Sequence, residues 1–152
     1  MIRFGTNPIA WANDDDQTLG ADIPTTRILE EAGRLIGFDG IENGHRWPDD
    51  PEALRALLAG YGLDFVSGWH SLNLLAHSVE DEIRAIQPHL DKLRHNGCTV
   101  CIACETSNSV QGLDAPLSAR PALSPDEMAD FGARVEAVAA HCAQQGIMLV
   151  YH

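Results

Sequence analysis

Five polar side chains close short apolar runs in this chain: Asn7, Glu42, His70, Glu105 and His152. Four of these runs share a form. Each begins with Gly after helix-like sequence, continues apolar and stops at an ionisable residue: Gly37-Phe-Asp-Gly-Ile-Glu42, Gly62-Leu-Asp-Phe-Val-Ser-Gly-Trp-His70, Gly97-Cys-Thr-Val-Cys-Ile-Ala-Cys-Glu105 and Gly146-Ile-Met-Leu-Val-Tyr-His152. The residue types suit carbonyl and polyol chemistry. Carboxylates bind metals, accept sugar hydroxyls or move protons. Imidazoles ligate metals or act as acids and bases near neutral pH. Trp11, Trp47 and Trp69 lie on or beside the same exits. An indole there either packs the core or rim, or walls a pocket against the apolar face of a ring and excludes water.

The elements that must position these groups are legible in order. Residues 2–7 read as a first strand leaving at Asn7-Pro8. Residues 8–22 form a long loop with Trp11 and the run Asp14-Asp15-Asp16, which reads as a solvated surface. A helix opens at Ile23-Pro24-Thr25-Thr26 and runs to about Ile36, with Ile28, Leu29, Ala32 and Leu35 as its apolar stripe and Gly37 as its cap. Residues 38–42 are the second strand. A second helix starts at Asp49-Asp50-Pro51-Glu52, turns Ala53, Leu54, Leu57 and Leu58 inward, and ends at Tyr61-Gly62. Residues 63–69 are the third strand, with His70 at its exit. A third helix begins at Ser78 with Glu80, Asp81 and Glu82 where the macrodipole favours carboxylates, and runs to about Asn96. Pro88 predicts a kink or break in it. Residues 98–104 are the fourth strand. Residues 105–123 are the longest irregular stretch, of the kind that carries function. Ser124-Pro125-Asp126-Glu127 opens a last helix reaching Gln145, and residues 146–152 are the fifth strand.

Composition narrows the partners. Of 152 residues, 45% are hydrophobic and 21% charged, the balance of one ordinary globular domain over residues 1–152. The formal net charge of −12 argues against a nucleic-acid backbone or an anionic membrane surface and otherwise serves solubility. No apolar run approaches the length of a membrane span. Cys98, Cys101 and Cys104 follow one another at a spacing of three, which invites a metal reading. On a strand, that spacing sends neighbouring side chains to opposite faces, so small core thiols are expected. Free thiols fit a reducing cytoplasm. His77, His89, His95 and His141 are expected at the surface.

Alternation of strand and helix predicts a parallel sheet with right-handed crossovers. No glycine-rich phosphate loop follows any strand, against a dinucleotide-binding sheet. A (β/α)8 TIM barrel gathers polar residues at the C-terminal ends of its strands, as the five side chains require. Such barrels need about 250 residues. The expectation is an α/β chain supplying about the first half of a TIM barrel, from its first strand to its fifth. An exposed strand edge would then be completed by a second half or by pairing with another copy, a homo-oligomer.

The opening Gly5-Thr-Asn-Pro-Ile-Ala-Trp11-Ala-Asn-Asp14 closely resembles that of inosose dehydratases (2-keto-myo-inositol dehydratases), in the xylose-isomerase-like TIM-barrel superfamily. Gly37-Phe-Asp-Gly-Ile-Glu42-Asn-Gly44, Gly68-Trp69-His70, Glu105-Thr-Ser-Asn-Ser-Val-Gln111-Gly112 and Leu149-Val-Tyr-His152 resemble later family segments. The resemblance implies a cytoplasmic hydro-lyase of inositol catabolism. It would remove water from 2-keto-myo-inositol, a cyclic polyol ketone, to give a trihydroxycyclohexane dione through a metal-stabilised enolate. A divalent metal, manganese or cobalt, and glutathione are implied with it. The proton beside a ketone becomes removable when the enolate oxygen is stabilised, and the neighbouring hydroxyl leaves when an acid protonates it. On this reading Glu42, His70 and Glu105 are catalytic, while Asn7, Trp11, Trp69 and Gln111 bind substrate. The superfamily's metal ligands come mostly from the fifth strand onwards. There the usual Glu is replaced by His152, the metal candidate, and this chain alone is expected to be inactive.

Rival readings are a sugar isomerase or epimerase on the same barrel, a family-two AP endonuclease, which the acidic charge disfavours, and a sugar-binding or scaffold module without turnover.

Overall fold

The computed structural model describes residues 2–110 and 112–152. The chain divides into two compact units, one comprising Met1–Gly68 and Asp91–Val100, the other Trp69–Leu90 and Cys101–His152.

In the first unit, β1 (Gly5–Thr6), β2 (Gly40–Ile41) and β3 (Asp64–Phe65) form a parallel sheet in the order β1-β2-β3. Gly5 faces Gly40, and Gly40 faces Asp64. Glycine is required at position 40: a Cβ there would lie 2.2 Å from a methyl of Val66 and 2.9 Å from the Asp64 carbonyl. Between β1 and β2 runs α1 (Thr25–Leu29), which passes into a π-helical turn at Glu30–Ile36. Gly37, at φ 83°, ends it in the left-handed region that suits glycine. The π turn corrects the expected apolar stripe. Ile28, Leu29 and Ala32 are fully buried as expected, but Leu35 is 75% exposed, because the wider turn rotates it off the stripe. Asp50 caps α2 (Pro51–Ala59) by accepting from the Ala53 amide at 2.7 Å. Leu54 and Leu58 of α2 join Ile41, Phe65 and Trp47 in the core, and Ala53 faces solvent.

The stretch expected as a single third strand is divided. It pairs as β3 in the first unit, and at Trp69 begins β4 (Trp69–Leu72) of the second. The physical reason lies in Val66–Gly68 pairing outside a regular ladder. The Val66 amide donates to Ile41 O, and Ser67 O accepts from the Asn43 amide at 2.9 Å.

In the second unit, β4 runs parallel to β5 (Val100–Glu105), with His70 opposite Ala103 and Leu72 opposite Glu105. β6 (Met148–Tyr151) is the third strand, in the order β4-β5-β6. Helix α3 (Val79–His95) is unbroken through Pro88, so of the expected kink or break the break does not occur. Only one intrahelical hydrogen bond is forfeited there, and the flanking Ile86 and Leu90 are fully buried. Helix α4 (Pro125–Gln144) opens with a complete capping box between Ser124 and Glu127. Its Val138 and Cys142 are buried with Ile147, Cys101 and Ala103.

All four cysteines are free. Burial raises the Cys98 thiol to about 11 and the Cys101 thiol to about 12. Cys101 is fully buried and Cys104 only half-buried, as opposite faces of β5 require. None of the described helices is long and apolar enough to cross a membrane.

Candidate functional site

In the first unit the strand-end polar groups pair directly. Asn7 follows β1 and Glu42 follows β2, and the register of the two strands sets them side by side. Asn7 Nδ2 donates to Glu42 Oε2 at 2.6 Å. The amide oxygen of Asn7 is also engaged, accepting from the Ile9 N–H at 2.8 Å and so capping a short 3-10 turn, Pro8–Ala10. The Glu42 backbone carbonyl accepts from Trp47 Nε1 at 2.8 Å, which makes Trp47 a buried brace. Trp11 is elsewhere. Its Nε1–H donates to Glu31 at 2.7 Å, and Arg27 together with Trp11 holds the Glu31 carboxyl below the usual carboxylate range. Lys92 is buried, 3.4 Å from Asn43 Oδ1, and burial lowers its ammonium pKa.

The second unit contains a better-built group. His70 Nε2 lies 2.8 Å from Glu82 Oε1, and the other oxygen of Glu82 accepts from the Asn73 amide at 2.9 Å. The Glu82 carboxylate is fully buried. His89, one helical face further along α3, stacks on His70 with ring centroids 5.9 Å apart. His89 is half-buried, and His141 is half-buried with its ring bonded to Gln87 at 3.0 Å. The expectation of surface residence therefore fails for both, because α3 and α4 turn these positions towards neighbours rather than solvent.

Glu105, at the end of β5, spends its carboxylate on backbone. Leu74 N–H donates to Oε2 at 2.7 Å and Ser107 N–H to Oε1 at 2.8 Å, with the Ser107 hydroxyl also on Oε1. The Tyr151 hydroxyl accepts from the Glu105 amide at 3.3 Å, and burial raises its pKa. Glu105 and Tyr151 line a cleft of about 390 Å³ with Leu75, Asn108, Arg120 and Phe131 among its walls. Trp69 and His152 meet edge to face, centroids 5.3 Å apart, and the His152 amide donates to Ala103 O at 2.8 Å. Gln111 lies outside the described residues.

The structure thus brings Asn7 to Glu42 and Trp69 to His152, places Glu105 in a cleft, and gives His70 a buried partner. That partner was missed. By sequence Glu82 is a first-turn carboxylate, yet it stands four residues before Ile86 and eight before Leu90, on the helix's buried stripe. A carboxylate at that spacing was the available signal. Among the described residues no group of three or more His, Cys, Asp or Glu side chains is placed to hold a metal ion. Both oxygens of Glu82 and of Glu105 lie within hydrogen-bond distance of protein groups.

The fold is found in known barrels. The chain superposes on a xylose isomerase-like TIM barrel protein from Mycobacterium smegmatis, solved in complex with magnesium, with a TM-score of 0.64 and 17% identity over 98% of this chain and 54% of that one. A sugar phosphate isomerase/epimerase from Parabacteroides distasonis gives a TM-score of 0.68 at 11% identity, over 99% of this chain and 50% of that one. These likenesses show an α/β fold like that of about half of a TIM barrel.

Sequence makes the resemblance particular. The chain is 36% identical over 152 residues to the rhizopine catabolism protein MocC of Rhizobium meliloti, and 31% identical over 153 residues to the inosose dehydratase of Geobacillus thermodenitrificans. Both alignments take in 99% of this chain. The chain spans about half the length of these relatives, 46% and 51% respectively. It resembles inosose dehydratases and MocC along its whole length. No protein-family model matches it.

Proposed function

We propose that residues 1–152 supply the N-terminal half of the single TIM-barrel domain of a hydro-lyase that removes water from 2-keto-myo-inositol to give a trihydroxycyclohexane dione. The observation that carries this reading is the similarity to inosose dehydratases over 99% of the chain. Glu42, His70 and Glu105 are its proton-transfer or hydroxyl-binding groups; the buried carboxylate beside His70 and the cleft that Glu105 lines support the reading. Asn7 and Gln111 bind substrate hydroxyls, and Trp11 and Trp69 wall the ring. A divalent cation, manganese or cobalt, and glutathione enter from the resemblance, with His152 as the one ligand candidate in this chain. Free thiols and acidity suit a cytoplasmic protein acting on a small molecule. The half-length span supports completion by further polypeptide or by a second copy, and the chain alone is expected to be inactive.

A chimera tests the proposal. This chain is joined to the remaining half of the Geobacillus thermodenitrificans inosose dehydratase and given keto-inositol, with manganese, cobalt and glutathione added singly. Product mass should fall by one water. Glu42→Gln, His70→Ala and Glu105→Gln should each lower kcat by about 10²-fold or more. A product of unchanged mass selects the isomerase or epimerase reading. Turnover untouched by all three substitutions refutes the residue assignment.

A further inference from the structure

We infer that Glu82 is a positioning residue that holds His70 in a single tautomer, with the proton on Nε2 and the lone pair on Nδ1. The inference rests on the proposed role of His70, but its evidence is separate. Glu82 Oε2 accepts from the Asn73 amide, Oε1 lies 2.8 Å from His70 Nε2, and an ionised carboxylate only accepts hydrogen bonds. A bond of 2.8 Å to Nε2 therefore places the proton on that nitrogen. His70 cannot turn its ring to escape this choice. The Asn73 amide fixes the carboxylate from the other side, and the parallel stack of His89 at an interplanar angle of 26° fixes the plane of the imidazole. Glu82 and His89 stand seven residues apart on one helix, so the rigid backbone of α3 sets both restraints at once.

The purpose is chemical. A base that takes a proton from carbon needs its lone pair on a defined atom. A buried carboxylate behind the imidazole supplies that definition, and it stabilises the imidazolium that forms when the proton arrives. A carboxylate serving only to close the turn at Asn73 would have no need of the imidazole.

The experiment reads the His70 tautomer in the whole chain by ¹⁵N chemical shifts of histidine-labelled protein, above the pH at which the ring is neutral. The Nε2–H form should dominate. In Glu82→Gln, whose amide can donate as well as accept, the preference should fall to the mixture of a free imidazole, while circular dichroism stays as in the parent. A parent chain with the proton on Nδ1, or a Glu82→Gln chain with the Nε2–H preference intact, overturns the inference. If Glu82→Gln does not fold, the parent spectrum alone still decides. A correct tautomer in a chimera that performs no dehydration leaves the positioning intact and removes the proposed function instead.

Discussion

Glu42 in one unit and Glu82 in the other each hold a polar side chain, Asn7 at 2.6 Å and His70 at 2.8 Å. The lengths are alike and the settings are not. Asn7 is exposed and Glu42 half-buried, so water replaces either partner when one is removed. Glu82 is fully buried and carries two donors, and water replaces nothing there. An exposed bond of this kind contributes about 0.5–1.5 kcal/mol, whereas a buried group stripped of its partner costs the full desolvation of what remains. Two bonds of similar geometry thus do different work. The first is open to exchange with solvent, and the second holds a ring between a buried carboxylate and a stacked imidazole.

Glu82→Ala should show the contrast most strongly. It leaves the His70 ring N–H and the Asn73 amide without an acceptor and opens a cavity beside Ile86. The expected loss is about 3 kcal/mol or more, read from the urea midpoint at unchanged slope. A loss under about 1 kcal/mol would mean that Glu82 is no more committed than Glu42.

A smaller effect compares the buried thiols, Cys98 in the first unit and Cys101 in the second. Burial raises them from an ordinary 9.0 to about 11 and about 12. Above pH 9 the unfolded chain loses these protons before the native chain does, so stability falls as pH rises towards 11 and 12. Cys98→Ala and Cys101→Ala should each flatten that alkaline slope, Cys101→Ala over the wider range. Denaturation midpoints between pH 8 and 11 check both, and an unchanged slope in both variants would place the thiols in contact with solvent.

Asn7→Ala should have the least effect, about 1 kcal/mol, since it removes the Glu42 bond and the cap of a single 3-10 turn. A cost equal to that of Glu82→Ala would erase the distinction between the two pairs.

Much of the fold was open to reading in the sequence. The alternation of strands and helices, the Asp50, Ser78 and Ser124 helix starts and the Gly37 stop all stand where local chemistry puts them. Leu35 and the stretch from Leu63 to His70 did not follow, because a π turn and the crossing from one unit to the other depend on what the chain packs against. In the candidate site, Asn7, Glu42, His70 and Glu105 are legible as polar strand ends, but the pairing of Asn7 with Glu42 and of His70 with Glu82 is not.

What the sequence determined by itself is the set of residues able to do chemistry and the elements that carry them. Periodicity and caps act within one or two turns of chain, so both are written locally. Tertiary structure decided which of those residues are committed. Asn7 reaches Glu42 across 35 positions and His70 reaches Glu82 across 12. Whether such a pair lies in water or under a helix follows from strand register and from the face α3 turns inward. Burial then separates the half-buried carboxylate of Glu42 from the fully buried one of Glu82 beside His70.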